Sequence, residues 1–327
     1  MKYRVLGKTG FKISEISLGT WQVGGKWGER FDEANAERIV NLAIDSGVNF
    51  IDTADVYSDG LSEAAVARVV RSRSERVYIA TKCGRKISPH VAKEYTAPRL
   101  VSFVDKSLKN MGLETIDLIQ LHCPPTEVYY RPEIFETFDR LKDAGKIRNL
   151  GVSVEKVEEG LKAIEYPNVA TVQIIFNMFR HRPKELFFFE ARRHNVGIIV
   201  RVPLASGLLS GKYTKDTTFG KEDHRTFNRE GAEFDKGETF SGVDYATGLR
   251  AAEELKKLFP AGDPLAAWAL RWILMFDAVS CIIPGASSPE QATANLDAAG
   301  LPSLTDEQMA GVDAVYAKIR PQVHHLW

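Results

Sequence analysis

The feature that most constrains this chain is a rhythm. Short apolar runs, each followed by a longer stretch of helical period, recur eight times. The runs occupy residues 16–19, 48–51, 77–80, 116–121, 147–152, 169–176, 196–202 and 279–283. The helical stretches lie at 33–46, 62–73, 97–111, 132–144, 154–164, 183–195, 264–276 and 289–299. Apolar strands alternating with helices read as parallel βαβ units covered on both faces. Eight such units without a composition break fit a closed α/β fold, the (β/α)8 TIM barrel, better than an open sheet. Residues 2–14 read as an N-terminal β-hairpin turning at Lys8-Thr9-Gly10, and 305–318 as an extra C-terminal helix. One domain spanning 1–327 is expected.

Composition narrows the function classes. Lys+Arg and Asp+Glu are both 43, so the chain lacks the basic excess of a sequence-blind nucleic-acid binder. No run approaches 18 uninterrupted apolar residues, and the opening residues lack the apolar stretch of a signal peptide. Neither a membrane nor a nucleic-acid partner is expected. Cys83, Cys123 and Cys281 are odd in number and form no C-x-x-C pair, which argues for a reducing, cytoplasmic setting without a cysteine zinc site. His324-His325 brings no ligand set of its own, so no metal is expected.

In a barrel of this kind the active site lies where the strands end. Strand two ends at Asp52, with Tyr57 five residues on; strand three ends in Thr81-Lys82; strand four ends in Gln120-Leu121-His122. A carboxylate, a phenol, an ammonium and an imidazole thus meet on one rim. A phenol of ordinary pKa near 10 donates its proton poorly at neutral pH. A nearby ammonium lowers that pKa, a carboxylate anchors the ammonium, and an imidazole orients a carbonyl oxygen. Such a site delivers a proton to a developing oxyanion.

Asp52, Tyr57, Lys82 and His122, with flanks such as Asp52-Thr53-Ala54 and Leu121-His122-Cys123-Pro124, resemble the catalytic tetrad of the aldo-keto reductase superfamily. The resemblance runs along essentially the whole chain. Its flavour is closer to the bacterial branch and the potassium-channel β subunits than to the aldose reductases. It implies hydride transfer between a nicotinamide cofactor and a carbonyl, with Tyr57 as proton donor. It also implies cofactor residues. Gly19, Thr20 and Trp21, with Asp52, resemble the group near the nicotinamide, and Ser153 and Gln173 those that bind its carboxamide. Leu204, Ser206, Gly207, Leu209, Gly211 and Lys212 resemble a pyrophosphate loop. Gly285, Ala286, Ser287, Gln291 and Asn295 resemble the segment that receives the adenosine end.

Three positions depart from the family pattern. Val154 stands where Asn or Arg is common. Arg201 stands where many members stack a Tyr on the nicotinamide, and its charge is expected to favour the reduced cofactor or an anionic substrate. Ser287 and Ser288 replace a basic residue, and hydroxyls can hold a 2′-phosphate, so NADPH/NADP is preferred, with NAD possible.

Trp21, Trp27, Tyr57, His122, Tyr129, Tyr130 and Trp327 are candidates to wall the pocket for a small carbonyl or sugar-like substrate. Cys83 and Cys123, next to Lys82 and His122, are expected by strand alternation to point away from the tetrad into packing. Phe187-Phe188-Phe189 is expected to pack a helix on the barrel. The polar segment 214–247 breaks the rhythm and reads as a lid closing over the cofactor. The reverse reaction, an alcohol or aldose dehydrogenase, is the alternative, and a slow nucleotide-sensing binding protein the rival of another class. A metal-dependent hydrolase would need more ligands than Asp52 and His122. The oligomeric state is left open.

Overall fold

The computed structural model describes residues 1–25 and 29–323. Trp27, His324, His325 and Trp327, singled out above, lie outside the described residues. The hairpin pairs β1 (Tyr3–Val5) with β2 (Lys12–Ser14). The eight apolar runs become β3 (Leu18–Gly19), β4 (Phe50–Asp52), β5 (Tyr78–Cys83), β6 (Ile116–His122), β7 (Ile147–Ser153), β8 (Val169–Ile175), β9 (Gly197–Arg201) and β10 (Val279–Ile282). All seven neighbouring pairs are parallel and run in chain order from β3 to β10. The first and last strands then meet. Ile16 bridges Ile282, Ser17 N–H donates to the Ile282 carbonyl at 2.9 Å, and Gly19 N–H donates to the Pro284 carbonyl at 3.1 Å. A Cβ on Gly19 would lie 2.6 Å from the Ile283 carbonyl oxygen, so glycine lets the seam close.

The helices are α1 (Glu33–Asp45), α2 (Leu61–Ser72), α3 (Ala97–Met111), α4 (Pro132–Asp143), α5 (Val157–Ala163), α6 (Phe187–Arg193), α7 (His224–Phe227), α8 (Tyr245–Lys256), α9 (Leu265–Leu274), α10 (Pro289–Leu296) and α11 (Asp306–Ile319). Their starts are written locally. Asp32, Asp244, Ser288 and Thr305 each accept a first-turn amide hydrogen bond with the side chain. The expected helices at 154–164 and 183–195 are shorter, the second preceded by a separate turn at Arg182–Lys184. Phe187 and Phe188 are buried as expected, whereas Phe189 is exposed.

α8 begins inside the segment 214–247 expected to form the lid, and so shortens it. Gly248 weakens its helical look, but a Cβ there would come within 2.6 Å of Leu208, so glycine is what lets α8 approach the loop after β9. The C-terminal helix α11 is pinned by His181, whose ring stacks on Tyr316 at 3.9 Å and on Trp272 at 4.8 Å.

Alternation divides the core in two. One face of the strands meets the helices in a large outer cluster that includes Ile51, Ile79, Ile119, Ile198 and Ile282. The other face fills the barrel with Phe50, Ala80, Leu118, Ile199 and Cys281, and Leu6 and Ile13 of the hairpin stop its N-terminal end. No helix among the described residues is long and apolar enough to cross a membrane. Leu118 is fully buried in the inner layer, and Leu118→Ala is expected to lower unfolding free energy by about 2–5 kcal/mol. Urea denaturation with an unchanged m-value checks this; a loss under about 1 kcal/mol would mean the layer can collapse around the gap.

Candidate active site

The C-terminal ends of β4, β5 and β6 bring Asp52, Lys82 and His122 to one rim, and a left-handed kink at Ser58 and Asp59 folds Tyr57 back over them. The four predicted residues therefore converge. Lys82 is the pivot. Its ammonium is 1% exposed and donates to Asp52 Oδ1, to the Thr53 carbonyl at 2.9 Å and to the Tyr57 hydroxyl at 3.2 Å. Burial opposes its charge, but Asp52 and Tyr57 hold it above the ordinary lysine value.

Asp52 is fixed from its other oxygen. Oδ2 accepts from Gln120 Nε2 at 2.9 Å and Gln173 Nε2 at 2.8 Å. Gln120 was not singled out in the sequence, although strand alternation puts it on the same face as His122, two residues on. The Gln173 amide nitrogen, expected to face the nicotinamide, is spent on this network.

The phenol departs from expectation. Burial raises the Tyr57 pKa, and the downward pull of Lys82 does not overcome it. Tyr57 is therefore a neutral hydroxyl near pH 7. His122 meets the Tyr57 ring edge-on with centroids 6.0 Å apart. Burial first, then the charges of Lys82, Arg85 and Arg201, hold its pKa well below the usual histidine value. The imidazole is neutral, and its Nδ1 is a buried atom without a protein partner among the described residues.

Several sequence expectations need correction. Cys83 packs outward as expected, but Cys123 does not. Its φ of +46° turns it inward, with Sγ 3.5 Å from Ser153 Oγ and 3.6 Å from Arg201. Burial pushes that thiol up to about 12, so it is an inert neighbour. Arg201 is not a lone charge. It donates to the Val154 carbonyl at 3.0 Å and lies 3.4 Å from Glu238, with Glu155 nearby. Cys123, Glu155 and Glu238 have the reach of a metal cluster, but Arg201 is the cation they surround. Tyr129 is no pocket wall: it is buried, its hydroxyl bound to the Ser153 carbonyl at 3.3 Å. Tyr130 is 64% exposed on the surface.

The loop after β9 was expected to cradle pyrophosphate. Its side chains and amides are largely committed. Leu209 is buried, the amides of Gly207 and Leu209 donate to the Leu204 carbonyl, and those of Gly211 and Lys212 donate to the Leu208 carbonyl and Ser210 Oγ. Ser206 Oγ donates to the Glu238 carbonyl at 3.2 Å and accepts from Phe240 N–H at 3.1 Å. Both partners belong to the lid. Val202, Ala205, Ser206, Phe240 and Ser241 all take positive φ, so unfavourable backbone is concentrated where loop and lid meet.

The lid also reaches the tetrad. His224 lies 5.2 Å from the Trp21 ring, which in turn stacks on Tyr57 at 6.2 Å. Thr20 N–H and Oγ1 both hold the Asp52 carbonyl at 3.0 Å. On the far side, the Ser288 hydroxyl caps α10, Gln291 Oε1 accepts from Ser287 N–H at 2.9 Å, and Asn295 donates to the Gly285 carbonyl at 3.0 Å. Ala286 is buried.

The residues matched by the aldo/keto reductase family model are 15–317, nearly all of the barrel. The chain belongs to the aldo/keto reductase family. Among curated proteins it is 30% identical over 313 residues to the aldo-keto reductase YhdN of Bacillus subtilis (strain 168), covering 94% of this chain and 92% of that one. A probable voltage-gated potassium channel subunit beta of Arabidopsis thaliana is 28% identical, with 93% of each chain covered. The solved glycerol dehydrogenase AKR11B4 of Gluconobacter oxydans matches with a TM-score of 0.77 and 30% identity, covering 100% of this chain and 98% of that one. The chain is accordingly an oxidoreductase acting on carbonyl or alcohol groups, and the family works with a nicotinamide cofactor on small carbonyl or sugar substrates.

The residues present fit such a cofactor. On the rim, His122 Nδ1 and Arg201 Nε are buried polar atoms without a protein partner among the described residues, and the hydroxyls of Ser287 and Ser288 stand at the opening turn of α10.

Proposed function

We propose that this protein is an NADPH-dependent carbonyl reductase, acting in the cytoplasm as one domain spanning 1–327. The observation that carries the direction is the neutral Tyr57 hydroxyl held 3.2 Å from the Lys82 ammonium. A reductase needs that proton at the start of turnover; a dehydrogenase needs the phenolate.

When bound, the reduced nicotinamide supplies the hydride. Ser153 and Arg201 would flank its ring, and Ser287, Ser288 and Gln291 its adenosine end, where the hydroxyls favour a 2′-phosphate. The chain's own residues do the rest. The neutral His122 orients the carbonyl oxygen toward Tyr57. As negative charge develops there, Tyr57 gives up its proton, and the adjacent Lys82 ammonium stabilises the phenolate that remains. Asp52, held by two glutamine amides, keeps the ammonium in place. Trp21 and His224 wall the pocket.

Titration of wild type and Tyr57→Phe with NADPH and NADH tests the assignment. NADPH is expected to bind more tightly than NADH, equally in both proteins, while the variant loses at least about 100-fold in carbonyl turnover. Turnover of the variant at the parent rate would remove Tyr57 as proton donor.

The pH dependence follows from the raised phenol pKa. The active protonated form persists below it, so kcat/KM for reduction should stay flat from pH 7 to about 10 and fall above. Alcohol oxidation, which needs the phenolate, should climb over the same range. A reduction profile that declines from pH 7 upward would contradict this reading.

The lid, residues 214–244 ahead of α8, would close on the bound cofactor, since its Glu238 and Phe240 already hold Ser206. Limited proteolysis in this segment should slow with NADPH present; identical cleavage with and without it would count against closure.

A further inference from the structure

Three residues beyond Lys82, the turn after β5 brings Arg85 to the backbone of the residue that follows His122. Among the described residues only its Nη1 has protein partners, the Cys123 carbonyl at 3.5 Å and Glu155 Oε1 at 3.4 Å, both at the outer limit of hydrogen bonding. Nε and Nη2 have none among the described residues. The side chain is 20% exposed, and the guanidinium lies 5.9 Å from the ring of Phe234, a lid residue. Burial opposes this charge, but the neighbouring Cys123, Glu238 and Glu155 more than offset it, so the guanidinium stays charged with one edge of its planar fork unused. Arg201 has a closer carbonyl acceptor at 3.0 Å, while its carboxylate, Glu238, stands at the same 3.4 Å that separates Arg85 from Glu155.

The nearest acid, Glu155, reaches only one nitrogen of Arg85. Glu155 and Glu238 crowd one another around Arg201, their oxygens and Cys123 Sγ all within 4.8 Å. Burial, with the charges of Glu238 and Asp235, pushes the Glu155 carboxyl above the usual carboxylate range, against the pull of Arg85 and Arg201. After burial, the charges of Lys82, Arg85 and Arg201 also depress the His122 pKa. Beside the carbonyl site stands a charged guanidinium with unused donors, next to the Phe234 ring.

We propose that Arg85 recognises a carboxylate carried by the substrate, so that this site reduces oxo- or formyl-carboxylates in preference to their neutral counterparts. The inference rests on the reductase reading above. Either anion could meet the fork bidentately, but a carboxylate carries less charge than a phosphate dianion and meets less repulsion from Glu238 and Glu155.

The test compares two aldehydes of one shape, 4-formylbenzoate and its amide, 4-formylbenzamide. In wild type, kcat/KM for the acid should exceed that for the amide by about 10- to 100-fold, the range of a charge-assisted hydrogen bond. Arg85→Gln should bring that ratio close to one, through KM more than kcat, and Arg85→Lys should restore part of it. A merely structural role would lower both rates and leave the ratio intact, and that outcome, or a wild-type ratio near one, overturns the proposal. If neither aldehyde is reduced, the reductase reading fails on its own. Binding of the unreactive 4-methylbenzoate, followed by tryptophan fluorescence, then still decides: binding that Arg85→Gln abolishes upholds the carboxylate site, and binding absent from wild type, or indifferent to the variant, ends it.

Discussion

An ammonium sealed inside the C-terminal mouth of the barrel governs the arrangement of everything around it. Removing Lys82 from water costs several kcal/mol unless every one of its donors is met. Three strands meet that demand. β4 supplies Asp52 and leads into the Thr53 carbonyl, the kink after it returns Tyr57, and β6 and β8 send Gln120 and Gln173 to the far oxygen of Asp52. The glutamines matter because a carboxylate satisfied on one side alone would pull the ammonium off its line to the phenol. The barrel's stagger thus becomes a hydrogen-bond network four strands wide, which fixes a phenol, an ammonium and an imidazole in one geometry before any substrate arrives. That preorganisation is what lets charge develop without the surroundings having to reorient.

The second constraint is backbone strain at the opposite side of the mouth. A β-branched residue at positive φ, such as Val202, is rare and unfavourable, and here it is joined by Ala205, Ser206, Phe240 and Ser241. Each such residue costs on the order of 1–3 kcal/mol and persists only where the surroundings over-determine it. The surroundings are the lid. Asn177 donates to the Val202 carbonyl at 2.9 Å and to Ser241 Oγ at 2.7 Å, and Arg180 donates to the Gly237 carbonyl at 3.0 Å. β8 and its following turn therefore hold strained loop and lid together, and the same contacts deliver Glu238 to Arg201.

Strands, helices and the four central residues were legible because they follow from local pattern. Period two and period 3.6 locate the elements, and strand ends locate the rim. Each boundary moved by only a few residues, since burial on both faces leaves apolar runs little freedom. What the pattern missed depends on contacts between distant segments. α8 hides behind Gly248, which looks like a helix breaker until Leu208 is seen to press on it. Cys123 was assigned outward by alternation, but alternation ends with the strand at His122, and a positive φ reverses the next side chain. Tyr129 was read as a pocket aromatic because loops after strands often line sites; its ring instead fills the outer core between barrel and helices.

The electrostatic misreadings share one cause. In the sequence, Arg201 is a bare charge at a position where relatives stack a tyrosine, and Lys82 is a bare charge beside a phenol. Folding supplies what the sequence cannot order in space. Glu238, 37 residues further on, compensates Arg201, while the desolvation that seals Lys82 also seals Tyr57 and raises the very pKa the ammonium should lower. Burial acts on both members of the pair, but it disfavours only charged forms, so the lysine keeps its proton through its carboxylate and the phenol keeps its own for want of water. The result is a charged donor holding a neutral one, which is the state that carbonyl reduction requires and alcohol oxidation must first undo.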